Sequence, residues 1–362
     1  MATLVRTFAT HGLRGRGQSI AQSEDTGCPY TRIMLCFDTA ISSLQWVYAM
    51  HLSDRASLRL KLHDLHVLMT VVQAGSMSKA ATLLNTTQPA VSRSIAVLER
   101  TIGVRLLERN SRGIEPTAYG RALLNGGMAA FDDLRQAVKY IEFLADPTAG
   151  EVRIGCTPLL AASFVSAVID RLSRRYPRMV FHVVTGYVET LHRELSGRNV
   201  DLLIARRFGS IAEERLAFEF LFDDCSVVAA GAQSPWVRRR KIGFAELLKE
   251  SWVLPPPGSE IASIAAEAFR ANGVDYPRTI VVTDSPHVRM SLLTTGRFVT
   301  ILPASALKFP AMRPEIKALH VQLPNARAPS GVVTLKAREL SPVAQLFVEF
   351  AREFAKAPRR RE

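Results

Sequence analysis

Gln88, Ser92 and Arg93 bring an amide, a hydroxyl and a guanidinium close together along the chain. On a helix, spacings of four and five put all three on one side. An amide and a guanidinium can each make paired hydrogen bonds to base edges, and a hydroxyl or a guanidinium can hold a phosphate. Singly, each residue also fits an ordinary solvated helix face. What flanks them does not reduce to that.

The element carrying these groups has a buried side: Val91, Ile95 and Leu98 follow at spacings of four and three, which predicts a helix beginning near Gln88 with Pro89 in its first turn. Asn85-Thr86-Thr87 separates it from a preceding helix that Ser78 is expected to cap and that carries Ala80, Ala81, Leu83 and Leu84. Earlier still, Leu62, Leu65, Leu68, Met69 and Val72 form one face of a helix over 58–74 that Gly75 ends. Downstream, Val104 to Glu115 reads as a basic hairpin with Asn110-Ser111-Arg112-Gly113 at its tip. This is helix, turn, helix and wing, the arrangement that offers one helix to the DNA major groove. From Leu58 to Gly120 there are eight Lys or Arg against four Asp or Glu, which suits a phosphate backbone. The residues expected on DNA are Ser78, Lys79, Thr87, Gln88, Pro89, Ser92, Arg93, Arg105, Arg109 and Arg112.

The stretch SMSKAATLLNTTQPAVSRSIAVLERTIGVRLLERNSRGIEPTAYG resembles the N-terminal motif of the LysR-type transcriptional regulators. Ala80-Ala81, Gln88-Pro89, Ser92-Arg93, Leu98-Glu99, Gly103, Leu106-Leu107, Arg109, Arg112, Thr117 and Gly120 carry the match in fixed register. Lys79 stands where Arg is more usual, and Pro116 where Leu is. A lysine there meets a phosphate as a point charge and not as a fork.

The 362-residue chain has room for two or three domains, and 48% hydrophobic with 22% charged residues is ordinary for globular protein. Its formal charge of +13 points to an anionic partner. Cys28, Cys36, Cys156 and Cys225 form no CxxC pair and the histidines are scattered, so neither a metal site nor a cofactor is expected, and the thiols are expected reduced in a cytoplasm, with the regulator at the nucleoid. Residues 1–57 are polar and aperiodic at first, then interrupted by Asp38 and Gln45 in their apolar part. They read as a disordered extension or as sequence upstream of the true translation start, with Met50 as the alternative start and a weakly helical arm as runner-up. No transmembrane or signal segment is recognised there.

Thr117 is expected to cap a long helix over 118–145, in a linker running to 147, after a DNA-binding domain over 58–117. Leu124, Gly127, Phe131, Leu134, Val138, Ile141 and Ala145 recur at threes and fours, the seam of a helix pair. Gly126-Gly127 suggests a bend or a close helix approach. In the resembled family this position is a linker helix that pairs subunits, implying a homodimer or homotetramer through Leu124, Phe131, Leu134, Val138 and Ile141.

From Glu151 strands and helices alternate, predicting βαβ units around a largely parallel sheet. The expected effector domain spans 151–342, with one lobe near 151–222 plus 322–355, the other near 223–321, and a basic tail over 356–362. Through strand order and pieces such as VDLLIA and VTILP this half resembles the family's effector-binding domain, similar to type 2 periplasmic binding proteins. A cleft between the lobes should take a small, anionic effector, of carboxylate or sugar-acid type, at Thr157, Pro158, Thr185, Gly186, Ser259 and Ser285, where strands meet helix N-termini. Arg206 and Arg207 read as solvated surface, with anion neutralisation as the alternative. An enzyme is disfavoured, because HExxH, GxSxG and a Gly-rich phosphate loop are all missing, and Cys156 reads as an apolar filler. A transport-type binding protein or an architectural DNA protein fits one half of the chain but not both. The expectation is a promoter- or operator-binding regulator, working with RNA polymerase if an activator and without a membrane.

Overall fold

The computed structural model describes residues 59–110, 113–206, 214–257, 259–273, 281–308, 315–323 and 327–356. Residues 1–57, Arg112, Arg207, Gly258 and the tail beyond Lys356 lie outside the described residues, and of Arg109 only the backbone is described.

Three helices build the N-terminal domain: α1 (Leu62–Ala74), α2 (Met77–Leu83) and α3 (Gln88–Ile102). Their core is Val67, Leu68, Val71, Met77, Ala80, Ala81, Val91, Ile95, Leu98 and Leu106. The small Ala80 and Ala81 let α2 sit close to its neighbours. The buried face of α1 is rotated from the expected one: Leu62 is 46% exposed, whereas Val67 and Val71 are buried. Ser76, not Ser78, stands at the extended position before α2, so Ser78 lies in its first turn. Two serines two residues apart are equally good caps by type, and only the backbone angles choose between them. Gly75 and Gly103 end α1 and α3 at φ 65° and 83°, left-handed conformations that disfavour a Cβ. The wing is β1 (Leu107–Asn110) antiparallel to β2 (Gly113–Pro116), tied back where the Ile114 N–H donates to the Gly75 carbonyl at 3.2 Å. Glu99 braces it from α3: its Oε1 accepts from the Leu106 N–H at 2.7 Å and the Leu107 N–H at 3.3 Å.

Thr117 then starts α4 (Ala118–Ala145), accepting from the Gly120 N–H at 3.0 Å and donating to the Arg105 carbonyl at 2.8 Å. The 28-residue helix is uninterrupted at Gly126-Gly127. Gly127 faces α1, but a Cβ there would sit at ordinary contact distance from Leu65 and Met69, 3.8 and 4.0 Å, so the approach is not one that only glycine allows.

Beyond α4 the chain forms two lobes on one sheet. Lobe 1 uses β3 (Ala149–Cys156), a helical stretch ending in α5 (Ser166–Arg175), β4 (Arg178–Thr185), α6 (Val188–Ser196), β5 (Leu202–Arg206), β11 (Arg327–Leu335) and α9 (Pro342–Lys356). Lobe 2 uses β7 (Ser251–Leu254), α7 (Glu260–Ala271), β8 (Val281–Val282), α8 (Pro286–Thr294) and β9 (Phe298–Pro303). The long β6 (Leu216–Gly231) belongs to both, pairing with β11 over 216–225 and with β9 over 226–230. Among the described residues the sheet has nine strands in the order β4-β3-β5-β11-β6-β9-β7-β8, with β10 (Ile316–Ala318) paired to β6. The sheet is therefore mixed and not largely parallel. Its ends are βαβ units, but β6 and β11 carry the chain between lobes in opposite directions, so the centre is antiparallel. Lobe 1 packs around Phe164, Phe222 and Phe347, and Phe143 of α4 joins that core. Lobe 2 packs Phe244, Trp252 and Phe269 with ring centroids 4.8 to 6.0 Å apart.

Candidate nucleic-acid interface and ligand cleft

The front of α3 carries the expected DNA-reading set. Thr87, Gln88, Pro89 and Arg93 are exposed, Ser92 is half-buried, and the apolar stripe Val91, Ile95 and Leu98 is buried on the other side. The Thr87 side chain makes no cap hydrogen bond within the domain, so its hydroxyl and the first N–H groups of α3 point at whatever meets this end. Ser78, Lys79 and Arg105 are exposed beside it. The sequence brought these residues together because one helical period and two cap signals fix the face. Glu99 was read only as a motif position, and its bracing of the wing needs the fold.

Opposite sides of α4 do different work. Leu134, Val138, Ile141 and Leu144 are exposed, whereas Asp132 and Phe143 are buried against lobe 1. Leu124 packs on the core of the N-terminal domain and Phe131 is half-buried, with its ring 6.0 Å from His66 of α1. The expected seam thus divides: its first part docks α4 on its own DNA-binding domain, and its second part is open.

Asp132 is 1% exposed and accepts from Arg338 Nε at 2.7 Å, Arg338 Nη2 at 3.0 Å and Arg198 Nη1 at 2.8 Å. Burial pushes its carboxyl up, but the hydrogen bonds and charges of Arg198 and Arg338 together hold it below its ordinary value. Arg338 also donates to Asp201 at 2.8 Å and to the Val200 carbonyl at 2.7 Å. Lys139 of α4 adds an ion pair to Glu151 at 3.3 Å.

Between the lobes lies a cleft of about 680 Å³. Thr157, Pro158 and Gly186 line it from lobe 1, Ser259 and Ser285 from lobe 2. Thr185 does not line it: this last residue of β4 is exposed, and the chain enters the cleft wall one residue later. The three hydroxyls differ. Ser259 accepts from the Ala262 N–H at 3.2 Å and Ser285 from the Val288 N–H at 3.3 Å, so both cap helices, while Thr157 makes no cap bond.

Arg206 corrects another expectation. It is 6% exposed and lines the cleft, donating to Ser226 Oγ at 3.3 Å and to the Asp224 carbonyl at 3.2 Å. Sequence reading missed Arg289 entirely, although it follows Ser285 by four residues and so shares its helix face. It is 7% exposed and lines the cleft. Burial pulls its guanidinium below its ordinary value, against the charges of Tyr187 and Asp284. Burial, then the charge of Asp284 from lobe 2, raises the Tyr187 phenol of lobe 1. Cys156 is fully buried under the first strand end, and burial pushes its thiol up to about 12, which fits a filler and not a nucleophile. Among the described residues no helix is long and apolar enough to cross a membrane, and no group of His, Cys, Asp or Glu could hold a metal ion.

The LysR substrate binding domain family matches residues 145–356, and the bacterial regulatory helix-turn-helix proteins of the lysR family match residues 62–121. The chain is 28% identical over 292 residues to the HTH-type transcriptional regulator GbpR of Azospirillum brasilense, covering 79% of this chain and 84% of that protein. It is 26% identical over 295 residues to the transcriptional dual regulator GltC of Bacillus subtilis, covering 82% and 97%. In fold it is similar to a full-length OxyR variant from Pseudomonas aeruginosa, at a TM-score of 0.59 and 19% identity over 82% of this chain and 95% of that one. With the match spanning both halves, the chain belongs to the LysR family of DNA-binding transcriptional regulators, which are not enzymes, and carries an effector-binding domain behind its helix-turn-helix.

Proposed function

We propose that this regulator reads a promoter or operator through Ser78, Lys79, Thr87, Gln88, Pro89, Ser92, Arg93 and Arg105, and that its cleft takes an anionic small molecule. The observation that supports the second point is the buried guanidinium of Arg289 in the lobe 2 wall, whose Nη1 has no hydrogen-bond partner among the described residues. A buried cationic donor left unpaired is costly, so an anion that meets it and also touches lobe 1 favours the closed arrangement. Thr157, Pro158, Gly186, Ser259 and Ser285 would line its seat.

Operating as a homodimer or a dimer of dimers follows from the open part of α4: Leu134, Val138, Ile141 and Leu144 are more apolar than a solvated helix face needs to be. Two copies would present two α3 helices to two half-sites. We place the DNA-binding domain at 58–117, the linker helix at 118–147 and the effector domain after 151, in a cytoplasmic protein.

The reading is tested in two measurements. On a binding site taken from a genome-wide map, Arg93→Ala should weaken specific binding by about 1–3 kcal/mol per half-site at fixed salt, and unchanged affinity would exclude α3 as the reader. In thermal unfolding, at least one organic anion from a set such as gluconate, citrate and phenylacetate should stabilise the chain. Stabilisation by uncharged ligands alone would refute an anionic effector.

A further inference from the structure

Resting on the anionic reading of the cleft, we propose that the effector is a monocarboxylate on a flat, apolar body, and that Arg289 is the residue that takes its carboxylate. Arg289 is buried and lines the cleft, and its Nη1 has no hydrogen-bond partner among the described residues. An unsatisfied charged donor in a dry wall is a strong site for one acceptor, and a carboxylate matches a guanidinium edge in shape.

The surroundings limit the ligand to one negative charge. Arg206, across the cleft, already donates to Ser226 and to the Asp224 carbonyl. Asp284 and Glu189 stand in the same walls, so a second carboxylate or a doubly charged phosphate would face like charge. The Asp284 charge eases the burial of Arg289 but leaves its Nη1 without a hydrogen-bond partner among the described residues.

The body of the ligand is set by the rest of the wall. Pro158, Pro255, Pro256, Pro257, Pro286 and Pro303 line it. Proline has no N–H to offer, and its ring presents a flat apolar face. A sugar acid would bury hydroxyls against these proline faces without partners, at a cost for each. Ser259 and Ser285 have each already accepted one cap bond, which leaves them an O–H to donate but less capacity to accept. The cleft of about 680 Å³ is also far larger than a two-carbon acid and within the usual size of a small-molecule site. Charge at one end and a ring along the prolines is the combination that satisfies both walls.

The test uses the full chain and a matched series of probes followed by thermal unfolding and calorimetry. Phenylacetate has charge and body, acetate charge alone, phenylacetamide body alone, and gluconate and inorganic phosphate stand for the polar anions. Phenylacetate should bind at least tenfold more tightly than any of the others. Arg289→Gln should lose at least tenfold in affinity for phenylacetate while leaving phenylacetamide unaffected, and Arg289→Lys should retain part of the affinity. Should Arg289→Gln fail to fold, the wild-type series and Arg289→Lys still decide. Phenylacetate bound no better than acetate or phenylacetamide overturns the proposal, as does undiminished affinity in Arg289→Gln. Preference for gluconate or phosphate would overturn the apolar body and keep the anionic reading, whereas no anion binding at all would overturn both.

Discussion

Removing the Asp132 carboxylate should loosen the hold of lobe 1 on α4. Its three shortest hydrogen bonds are charge-assisted, at 2.7, 3.0 and 2.8 Å from Arg338 and Arg198, and Arg135 and Gln136 add longer ones at 3.5 Å. Asp132→Ala leaves those cations behind with their counter-charge gone. Breaking a buried pair in this way costs about 3–5 kcal/mol. The lower end applies here, because Arg338 keeps Asp201 and the Val200 carbonyl, and the Arg198 side chain is 13% exposed and can reach water. About 3 kcal/mol corresponds to a fall of about 6–12 °C in the melting temperature of a domain of this size. Differential scanning calorimetry of Asp132→Ala, Arg338→Met and the double variant measures it, and the double variant should be less destabilised than the sum of the singles by more than about 0.5 kcal/mol, the limit for independent sites. Additive singles, or a fall of less than about 2 °C, would refute the clamp. The pH dependence has a definite sign. Because the folded carboxyl titrates below its ordinary value of 3.8, its contribution is complete above that value and drains away as pH falls through the folded one. The difference between the natural chain and Asp132→Asn should stay constant from about pH 6 to 8 and shrink on acidification below about pH 4.

On the proposed pairing through α4, replacing Val138 and Ile141 together by Asp should leave a monomer in sedimentation equilibrium with each half still folded, because both side chains are exposed in the single chain. Gly120→Ala should destabilise the DNA-binding half by about 1–3 kcal/mol and weaken operator binding. The added Cβ would overlap the Leu106 carbonyl oxygen, and backbone cannot step aside as a side chain can. Cys156 should escape alkylation by iodoacetamide at about pH 8 in the folded protein and react on unfolding, as peptide mass mapping would read, since its buried thiol is pushed up to about 12. Alkylation in the folded state would reopen a redox role.

What the sequence made legible was local. The bounds of α3 and α4 follow from Thr87, Pro89 and Thr117 acting on a 3.6 period, and α4 runs over Ala118–Ala145 as expected. The cap of α2 was misplaced because Ser76 and Ser78 differ only in backbone angles. The length of β6 was hidden because one strand serves two cores, so its pattern changes partner midway at Ser226. Arginines were read worst. Arg206, Arg289 and Arg338 all look like surface by type and all are buried, two of them on partners far away in the chain: Arg206 on Asp224 and Ser226, and Arg338 on Asp132, 206 residues apart. Hydrophobic periodicity carries no information about such pairs.

The same arginines suggest how cleft and DNA are joined. Among the described residues, the charged partners that hold α4 from outside, namely Arg198, Asp201, Arg338 and Glu151, belong to lobe 1, and Phe143 enters the lobe 1 core. Linker helix and lobe 1 should therefore move as one body. A ligand seated between Thr157 and Arg289 can act only on lobe 2, by bending the chain where β6 and β11 cross. Asp224 sits at that crossing and bonds the Ser305 N–H at 3.0 Å and its hydroxyl at 2.6 Å, while Arg206 holds the Asp224 carbonyl. The shift this produces is limited by how much better the ligand binds the closed form, about 1–3 kcal/mol for ordinary coupling. Such an amount reaches the DNA only if α4 cannot slip on lobe 1. A variant that loosens Asp132 should accordingly keep operator affinity and lose the effector's influence on it, and an unimpaired effector response in Asp132→Asn would show that the signal travels by another route.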